Sequence, residues 1–446
     1  MRILPTIGPV SESTNSLKKI NKFTNIFRLN GSHNNINWHK NIIKKIKSLN
    51  KNNKILFDVP GIKPRTANDK EIVIKKNQIV CFYFKKKNKI KDLLNIQLTK
   101  PIPQASKFLK YFSLSDGSYI FRLKKISKNI VVGYSVQDFI LKPNKGLNLP
   151  GAVYDNDLQI KTSLKFLQSI KKLEFESMGL SFVQDEKIVK LIKKVFPQKL
   201  ITAKIENSQG LKNINQIVKY SDVIMIDRGD LSAEIGEQNL FNAIIKISEE
   251  CREFGKPLIM ATENLDSMIK NLSPTKSEVV SISFSEHIKA DQIMLSDETA
   301  TSKNYLKTLK WLNNFINSNK NKYYKKQNLN NETFFSSLKN INNETVIIFT
   351  KKGYVVDKIL NINRNLKLFV FSDNQFIINH CHFRSNCTPV KTKRFPKKME
   401  AFIFKYIKDN KNNIFRLNNR AFLTYSSYPK KNVRANTLSF VTKNLF

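Results

Sequence analysis

Short apolar runs recur along the first three hundred residues, each separated from the next by a segment of helical length with amphipathic spacing. In order they are Ile3–Gly8, Asn25–Asn30, Lys54–Asp58, Gly179–Val183, Leu200–Glu206, Asp222–Asp227, Pro257–Glu263 and Asp291–Ser296. Between them lie segments such as Glu186–Val195 and Asn239–Phe254, whose apolar positions fall on one helical face. Strands alternating with helices eight times over predict an α/β fold, a (β/α)8 TIM barrel. A doubly wound open sheet gives the same alternation and stays open as the competing topology. The run ends favour the barrel: "FRLN", "LFD", "LSF", "AKIE", "MIDRGD", "MATE" and "MLSDE" finish on reactive or charged groups. Barrel active sites are assembled from such C-terminal strand ends.

The alternation is broken once. After the third run, residues 67–147 read as β-rich, in "EIVIKKNQIVCFYF" and "SYIFRLKKISKNIVVGYSV". They predict a β-barrel-like domain inserted in a βα loop, where it can act as a lid. The barrel's first part is then 1–66 and its second part 148–322, with a last helix near 303–316. The polar stretch "NSNKNKYYKKQNLNNE", from Asn317, reads as a linker, and 333–446 as a C-terminal α/β domain built on "ETVIIFTKKGYVVDKIL" and "LKLFVFSDNQ".

Charge complicates this picture. The chain of 446 residues carries 77 Lys+Arg against 35 Asp+Glu, a net +42, which raises a polyanion as partner. The excess is spread through Lys/Asn/Ile-rich text such as "NIIKKIKSLNKNNK", without basic blocks interleaved with aromatics. Solvated lysine faces are the reading preferred, with incidental polyanion binding behind it and no dedicated nucleic-acid binding. Four scattered cysteines fit no disulfide framework. No segment approaches the roughly 18 apolar residues of a membrane span, and the first residues show no signal pattern. A soluble, cytoplasmic protein with no membrane contact is expected. The cluster "HCHFRSNC" (His380, Cys381, His382, Cys387) matches no zinc spacing and is expected to be a half-buried strand.

Three features carry candidate chemistry. Lys204 and Glu206 share one strand face by the period of two. Asp230 follows on the next strand. Glu206 and Asp230 are hard oxygen donors suited to Mg²⁺ or Mn²⁺, and Lys204 can meet negative charge on the same substrate; a structural Lys–Glu pair is the alternative. In "DVPGIKPRT", Asp58 ends the third run beside Lys63 and Arg65.

These motifs resemble the pyruvate kinase family, colinearly from the first strand to about residue 316. "TIGPVSES", "FRLNGSH", "DVPGIKPRT", "KGLNLPG", "LSFV", "AKIENSQG", "IDRGDLSAEI", "GKPLIMATENLDSMI" and "MLSDETA" are similar to the family's motifs in order and spacing. The resemblance implies phosphoryl transfer from phosphoenolpyruvate to ADP, giving pyruvate and ATP, in a homo-oligomer, a tetramer by family habit. It places Arg28 and Arg65 on phosphates, Lys204 on the transferring group, Glu206 and Asp230 on the metal, the amides of Gly229 and Asp230 on the substrate carboxylate, and Thr262 near the enolate. The nucleotide would lie near Asn30, His33, Arg65 and Lys145. For Thr262 a packed hydroxyl, and for His33 a plain surface histidine, remain alternatives. A catalytically impaired binding module, or a barrel acting on another phosphorylated or enolisable acid, are the competing functions.

The departures are specific. The family's monovalent-cation pocket corresponds to Asn30, Ser32, Asp58 and Val59, and valine lacks the hydroxyl. Lys63 stands at the family's glutamate, as in members that work without potassium. An ammonium about 4 Å from an anion supplies about 4 kcal/mol at an effective dielectric near 20, so Lys63 is expected to serve as an internal cation with potassium not required. Pro60 replaces a lysine, Ser115 the first acid of a lid motif, and Glu263 a glutamine. Asp227, Ser232 and Asp297 stand where small residues are usual, two of them adding negative charge. "FTKKGYVVDKI" has Lys352 where the family's effector loop has serine, so regulation by sugar phosphates is not expected.

Overall fold

The computed structural model describes residues 1–85, 88–319, 335–339, 341, 343–396, 398–416, 418–425 and 437–446. The expected linker runs out of the described residues after 319, so its course and the 322 and 333 boundaries lie outside them.

Eight parallel strands form the central sheet: β1 (Arg2–Pro5), β2 (Ile26–Asn30), β3 (Lys54–Val59), β4 (Ser177–Leu180), β5 (Leu200–Ile205), β6 (Val223–Asp227), β7 (Leu258–Ala261) and β8 (Gln292–Leu295). Each pairs with its sequence neighbour, and β1 pairs with β8. The ring closes through a parallel bridge between Thr6 and Arg28, where the Ile7 N–H donates to the Arg28 carbonyl at 3.0 Å. This is a TIM barrel, not an open sheet. Outward strand residues such as Leu29, Phe57, Ile201 and Ile224 pack against helix residues such as Ile42, Ile46, Leu167 and Ile188 in one core.

β4 and β7 end two or three residues before the apolar runs do, for the same reason. Phe182 (φ 57°), Thr262 (φ 58°) and Glu263 (φ 50°) adopt left-handed backbone conformations, which no strand continues. β4 therefore stops at Leu180 and β7 at Ala261, and the chain turns inward over the mouth.

The insertion after β3 is β-rich, as expected. A six-stranded sheet runs Leu147–Asn148, Tyr111–Leu114, Tyr119–Ile126, Ile130–Ser135, Ile79–Tyr83, Leu94–Gln97 across its order, around a core containing Phe82, Phe112 and Phe121. Its turn Ser115–Gly117 lies against the barrel helix Arg228–Ile235: a Cβ on Gly229 would stand 3.7 Å from that of Asp116, and one on Gly117 3.8 Å from that of Ala233. The lid thus rests on the mouth.

The C-terminal domain has a five-stranded sheet in the order Cys387–Lys391, Lys367–Ser372, Thr345–Phe349, Arg420–Tyr425, Thr437–Thr442, parallel except for the last strand. The "HCHFRSNC" segment is a correction. His380, Cys381 and His382 end a helix, Gln375–His382, rather than a strand. Asn374 caps that helix through its side chain, and Ile377, Ile378, His380 and Cys381 bury together, a helical pattern in a segment too short to show its period. The turn that follows plugs the barrel's N-terminal end. Phe383 is fully buried among Leu4, Ile26, Leu56, Leu200, Val223 and Met294. Arg2 holds the turn by donating to the carbonyls of His382 and Cys387, each at 2.7 Å. The His380 ring meets the Asp222 carbonyl at 2.8 Å.

Phe383→Ala removes that plug. It is expected to cost about 3–5 kcal/mol of unfolding free energy in chemical denaturation, and an unchanged midpoint would show that the barrel floor does not depend on the C-terminal domain.

Candidate active site

The mouth gathers residues from consecutive strand ends into one buried charge cluster. Lys204, on β5, is its hub: its ammonium lies 2.6 Å from Glu206 Oε1, 3.3 Å from Asp227 Oδ2 and 3.7 Å from Asp58 Oδ2. Arg28, on β2, donates from Nε to Asp58 Oδ2 at 2.8 Å and from Nη1 to Thr6 Oγ1 at 2.8 Å. Burial alone would raise the Asp58 carboxyl; Arg28, then Lys204, outweigh it and hold it below the usual range. Burial alone would lower the Lys204 ammonium, and Asp58, Glu206 and Asp227 together raise it above its ordinary value. The neighbouring strand is cut to fit: a Cβ on Gly179 would sit 2.0 Å from Asp58 Oδ1.

Lys63 forms the second centre. It is buried, and its ammonium pairs with Asp230 and, at 3.0 Å, with Asp116 of the lid turn. The stem runs through a slot that a side chain on Gly146 would block, 2.6 Å from Lys63 Cε. Its ion pairs are with the Asp230 side of the mouth, whereas Asp58 is taken by Arg28 and Lys204. Burial would lower the Lys63 ammonium; Asp230, then Asp116, raise it instead.

Carboxylate oxygens of Glu206, Asp227 and Asp230 all lie within 4.8 Å of one another. Glu206 also accepts the N–H of Phe182, the residue whose left-handed backbone turns that amide inward. Burial first, then opposed by Lys204 and reinforced by Asp227 and Asp230, pushes Glu206 up to about 8. The charge balance explains this. The cations Arg28, Lys63 and Lys204 face the carboxylates Asp58, Asp116, Glu206, Asp227 and Asp230. With all ionised, three positive charges meet five negative, a deficit of two. Hard oxygen donors short of two positive charges fit a divalent cation of the Mg²⁺ type.

On β7's end, Thr262 Oγ1 accepts the Gly229 N–H at 3.1 Å and lies 3.1 Å from Asp227 Oδ1 and 2.8 Å from the Ala261 carbonyl. Arg228 pins this strained turn from beneath, donating from Nε to the Thr262 carbonyl at 3.1 Å and from Nη2 to the Glu263 carbonyl and Asn264 Oδ1, each at 2.8 Å. Gly229 and Asp230 occupy the first turn of the helix Arg228–Ile235, whose N-terminus favours an anion.

The residues read as nucleotide contacts lie at the lid hinge. Arg65 is exposed, bridges to Gly146 and donates to the Asn144 carbonyl at 3.1 Å. The Lys145 N–H donates to Thr66 Oγ1 at 3.0 Å. Asn30 ends β2 and accepts the Ser32 N–H at 3.0 Å; Val59 ends β3. His33 is near enough to feel this rim: partial desolvation, then the charges of Arg65 and Arg28, lower its imidazole.

Sequence reasoning passed over several groups that the fold makes central. Asp227 was visible only as an unusual extra acid in "IDRGD", and Asp116 only as the neighbour of Ser115 in the lid motif. Thr6 and Gly146 stood out only as members of "TIGPVSES" and "KGLNLPG", and Gly179 only as the start of a run, because their roles are to touch residues far away in sequence.

A family model described as pyruvate kinase, barrel domain, matches residues 1–308. The chain belongs to the pyruvate kinase family. Among curated members, a pyruvate kinase of Trypanoplasma borreli is 32% identical over 329 residues, covering 70% of this chain and 64% of its own length. Pyruvate kinase 2 of Trypanosoma brucei brucei is 31% identical, covering 68% of this chain and 63% of its own length, and a Thermotoga maritima pyruvate kinase is 31% identical, with 70% and 69%. The match thus spans under two thirds of the length of the first two of these pyruvate kinases. A crystal structure of a pyruvate kinase from Cryptosporidium parvum aligns with a TM-score of 0.82 over 99% of this chain and 95% of that one, at 21% identity; this likeness shows the fold.

One buried group gives the pyruvate kinase mouth a pH-dependent stability. Burial, opposed by Lys63 and reinforced by Asp230, pushes Glu234 up to about 8 from 4.5. Its Oε2 has no hydrogen-bond partner, and the Tyr154 hydroxyl reaches Oε1 at 3.3 Å. The folded state therefore holds a proton that the unfolded chain releases near 4.5. Stability from this group is full below that value and is lost as pH rises through about 8. Unfolding free energy measured with EDTA from pH 5 to 9 is expected to fall, by at most about 1.4 kcal/mol per pH unit for this one proton. Glu234→Gln is expected to remove this proton's share of the slope and leave that of Glu206, and an unaltered slope would remove Glu234 as a source.

Proposed function

We propose that this chain transfers the phosphoryl group of phosphoenolpyruvate to ADP, giving pyruvate and ATP. The observation that carries the reading is Lys204, a buried ammonium held among three carboxylates at the strand ends of a barrel mouth. Phosphoryl transfer asks mainly for positioning and for charges already in place where negative charge moves. Lys204 cannot drift, because Asp58, Glu206 and Asp227 surround it. It is the group to stabilise the phosphoryl in flight.

Arg28, clamped by Asp58 and Thr6, presents its guanidinium to the substrate phosphate, and Arg65 at the hinge serves the phosphates of the substrate pair. The amides of Gly229 and Asp230 receive the substrate carboxylate at the helix N-terminus, and Thr262 beside them assists protonation of the enolate. The nucleotide sits between lid and rim, against Asn30, His33, Arg65 and Lys145. Glu206 and Asp230 would hold Mg²⁺ or Mn²⁺, which would supply positive charge against the negative charge of the phosphoryl group. Lid closure over the mouth excludes water from the transfer.

Potassium independence belongs to the same reading. Val59 offers no hydroxyl to the pocket of Asn30, Ser32 and Asp58, while Lys63 brings a permanent buried cation to the mouth. The protein would work in glycolysis, in the cytoplasm, as a homo-oligomer, a tetramer by family habit. No helix among the described residues is long and apolar enough to cross a membrane.

The test is pyruvate release from phosphoenolpyruvate and ADP with Mg²⁺, run in sodium and in potassium buffers. Turnover is expected in both within a few-fold, and Lys204→Met is expected to lower it by about a hundredfold or more. A requirement for potassium of tenfold or greater would remove the internal-cation role of Lys63. No turnover with either Mg²⁺ or Mn²⁺ would leave the binding-module reading, which the extra acids Asp227 and Asp297 favour.

A further inference from the structure

Asp227 is the N-cap residue of the helix Arg228–Ile235, yet its side chain caps nothing. An aspartate there ordinarily accepts a first-turn amide. This one is turned away: Oδ1 takes the Thr262 hydroxyl at 3.1 Å and Oδ2 lies 3.3 Å from the Lys204 ammonium. The sheet makes the bridge possible. β6 lies between β5 and β7, and Asp227 is in register with Ala261, the residue before Thr262. A carboxylate on the middle strand end therefore reaches one group on each side.

The consequence falls on the Thr262 hydroxyl. It has one proton and two acceptors within reach, Asp227 and the Ala261 carbonyl. A charged acceptor makes a bond roughly twice as strong as a neutral one, so the proton goes to Asp227. The Gly229 N–H occupies one lone pair of the same oxygen. The backbone at Thr262 is left-handed, a costly state for a β-branched residue, and Arg228 holds it. With its proton committed, the oxygen offers only lone pairs, one in this structure and a second when the Gly229 amide turns to the substrate carboxylate. Beside it, a Cβ built on Gly229 finds nothing closer than 3.7 Å.

Resting on the phosphotransferase reading above, we propose that Asp227 is a positioning residue for the protonation half of the reaction: it commits the Thr262 hydroxyl as a hydrogen-bond acceptor, which orients the water that protonates C3 of enolpyruvate. In that step an O–H bond of the water breaks and a C3–H bond forms. The enolate's electron pair makes the new bond, its oxygen becomes the keto oxygen of pyruvate, and the hydroxide left behind is neutralised by solvent. Asp227 neither gains nor loses a proton. Thr262 and its partners thus serve the carbon end of the substrate, while Lys204 serves the phosphoryl end.

The test compares the two halves of the reaction. Methyl-hydrogen exchange of pyruvate in deuterium oxide, with Mg²⁺ and ATP present, is followed by NMR beside ATP formation from phosphoenolpyruvate and ADP. Asp227→Ala is expected to slow methyl exchange at least tenfold more than it slows ATP formation. Asp227→Asn keeps a neutral acceptor of the same shape and is expected to recover part of that loss. Mn²⁺ affinity, read by electron paramagnetic resonance, is expected to fall by less than tenfold in both variants, the loss of one nearby charge rather than of a ligand. Equal losses in the two halves, or exchange unchanged in Asp227→Ala, would overturn the proposal. So would a tenfold loss of Mn²⁺ affinity in the Asn variant, which would make Asp227 a metal ligand instead. A parent chain that neither forms ATP nor exchanges methyl protons would overturn the underlying phosphotransferase reading as well, and is told apart by failing before any substitution is made.

Discussion

The mouth of this barrel is organised by a shortage of positive charge. Lys204 alone holds three carboxylates, and Asp58 needs Arg28 as well. Buried charges persist only when paired and hydrogen-bonded, so every element near them is shaped by the need to supply a partner. The Phe182 backbone turns left-handed and gives its N–H to Glu206. Gly179 has no side chain because Asp58 fills its place, and Gly146 has none because Lys63 does. With all its carboxylates ionised the cluster is two positive charges short. A site that is two charges short and floored by fixed donors is suited to take up a divalent cation together with an anionic substrate.

The lid and the C-terminal domain attach to this barrel in different ways. The lid meets it through a charged contact, Asp116 on Lys63, at a turn of exposed polar residues. Such a contact can open and re-form. The C-terminal domain meets it through Phe383 in the barrel floor and Arg2 on the turn beside it, a desolvated apolar plug that does not exchange readily. The contact at the mouth is thus an ion pair, and that at the floor is a buried aromatic side chain.

Much of the barrel was legible in the sequence because its signals are local. Eight runs with charged ends give strands and a mouth, and the period of two places Lys204 beside Glu206. Ring closure was not legible, since it rests on the Thr6–Arg28 bridge. Strand ends were misjudged at Phe182 and Thr262, because a left-handed backbone at a bulky residue has no compositional signature; it is enforced by Arg228 and Glu206 from elsewhere. His380 to Cys387 misled for the opposite reason: its polar donors drew attention, while the informative residue was the phenylalanine between them. Lys63 was found by its oddity, but its partners Asp116 and Asp230 lie far along the chain and could be known only from the fold.

The central claim is that the mouth is a preformed cluster lacking two positive charges. Calorimetric titration of the chain with Mn²⁺ in the presence of phosphoenolpyruvate addresses it most directly. One ion per chain is predicted, with affinity reduced at least tenfold by Glu206→Gln. Failure to bind the ion, or binding indifferent to that substitution, would contradict the account.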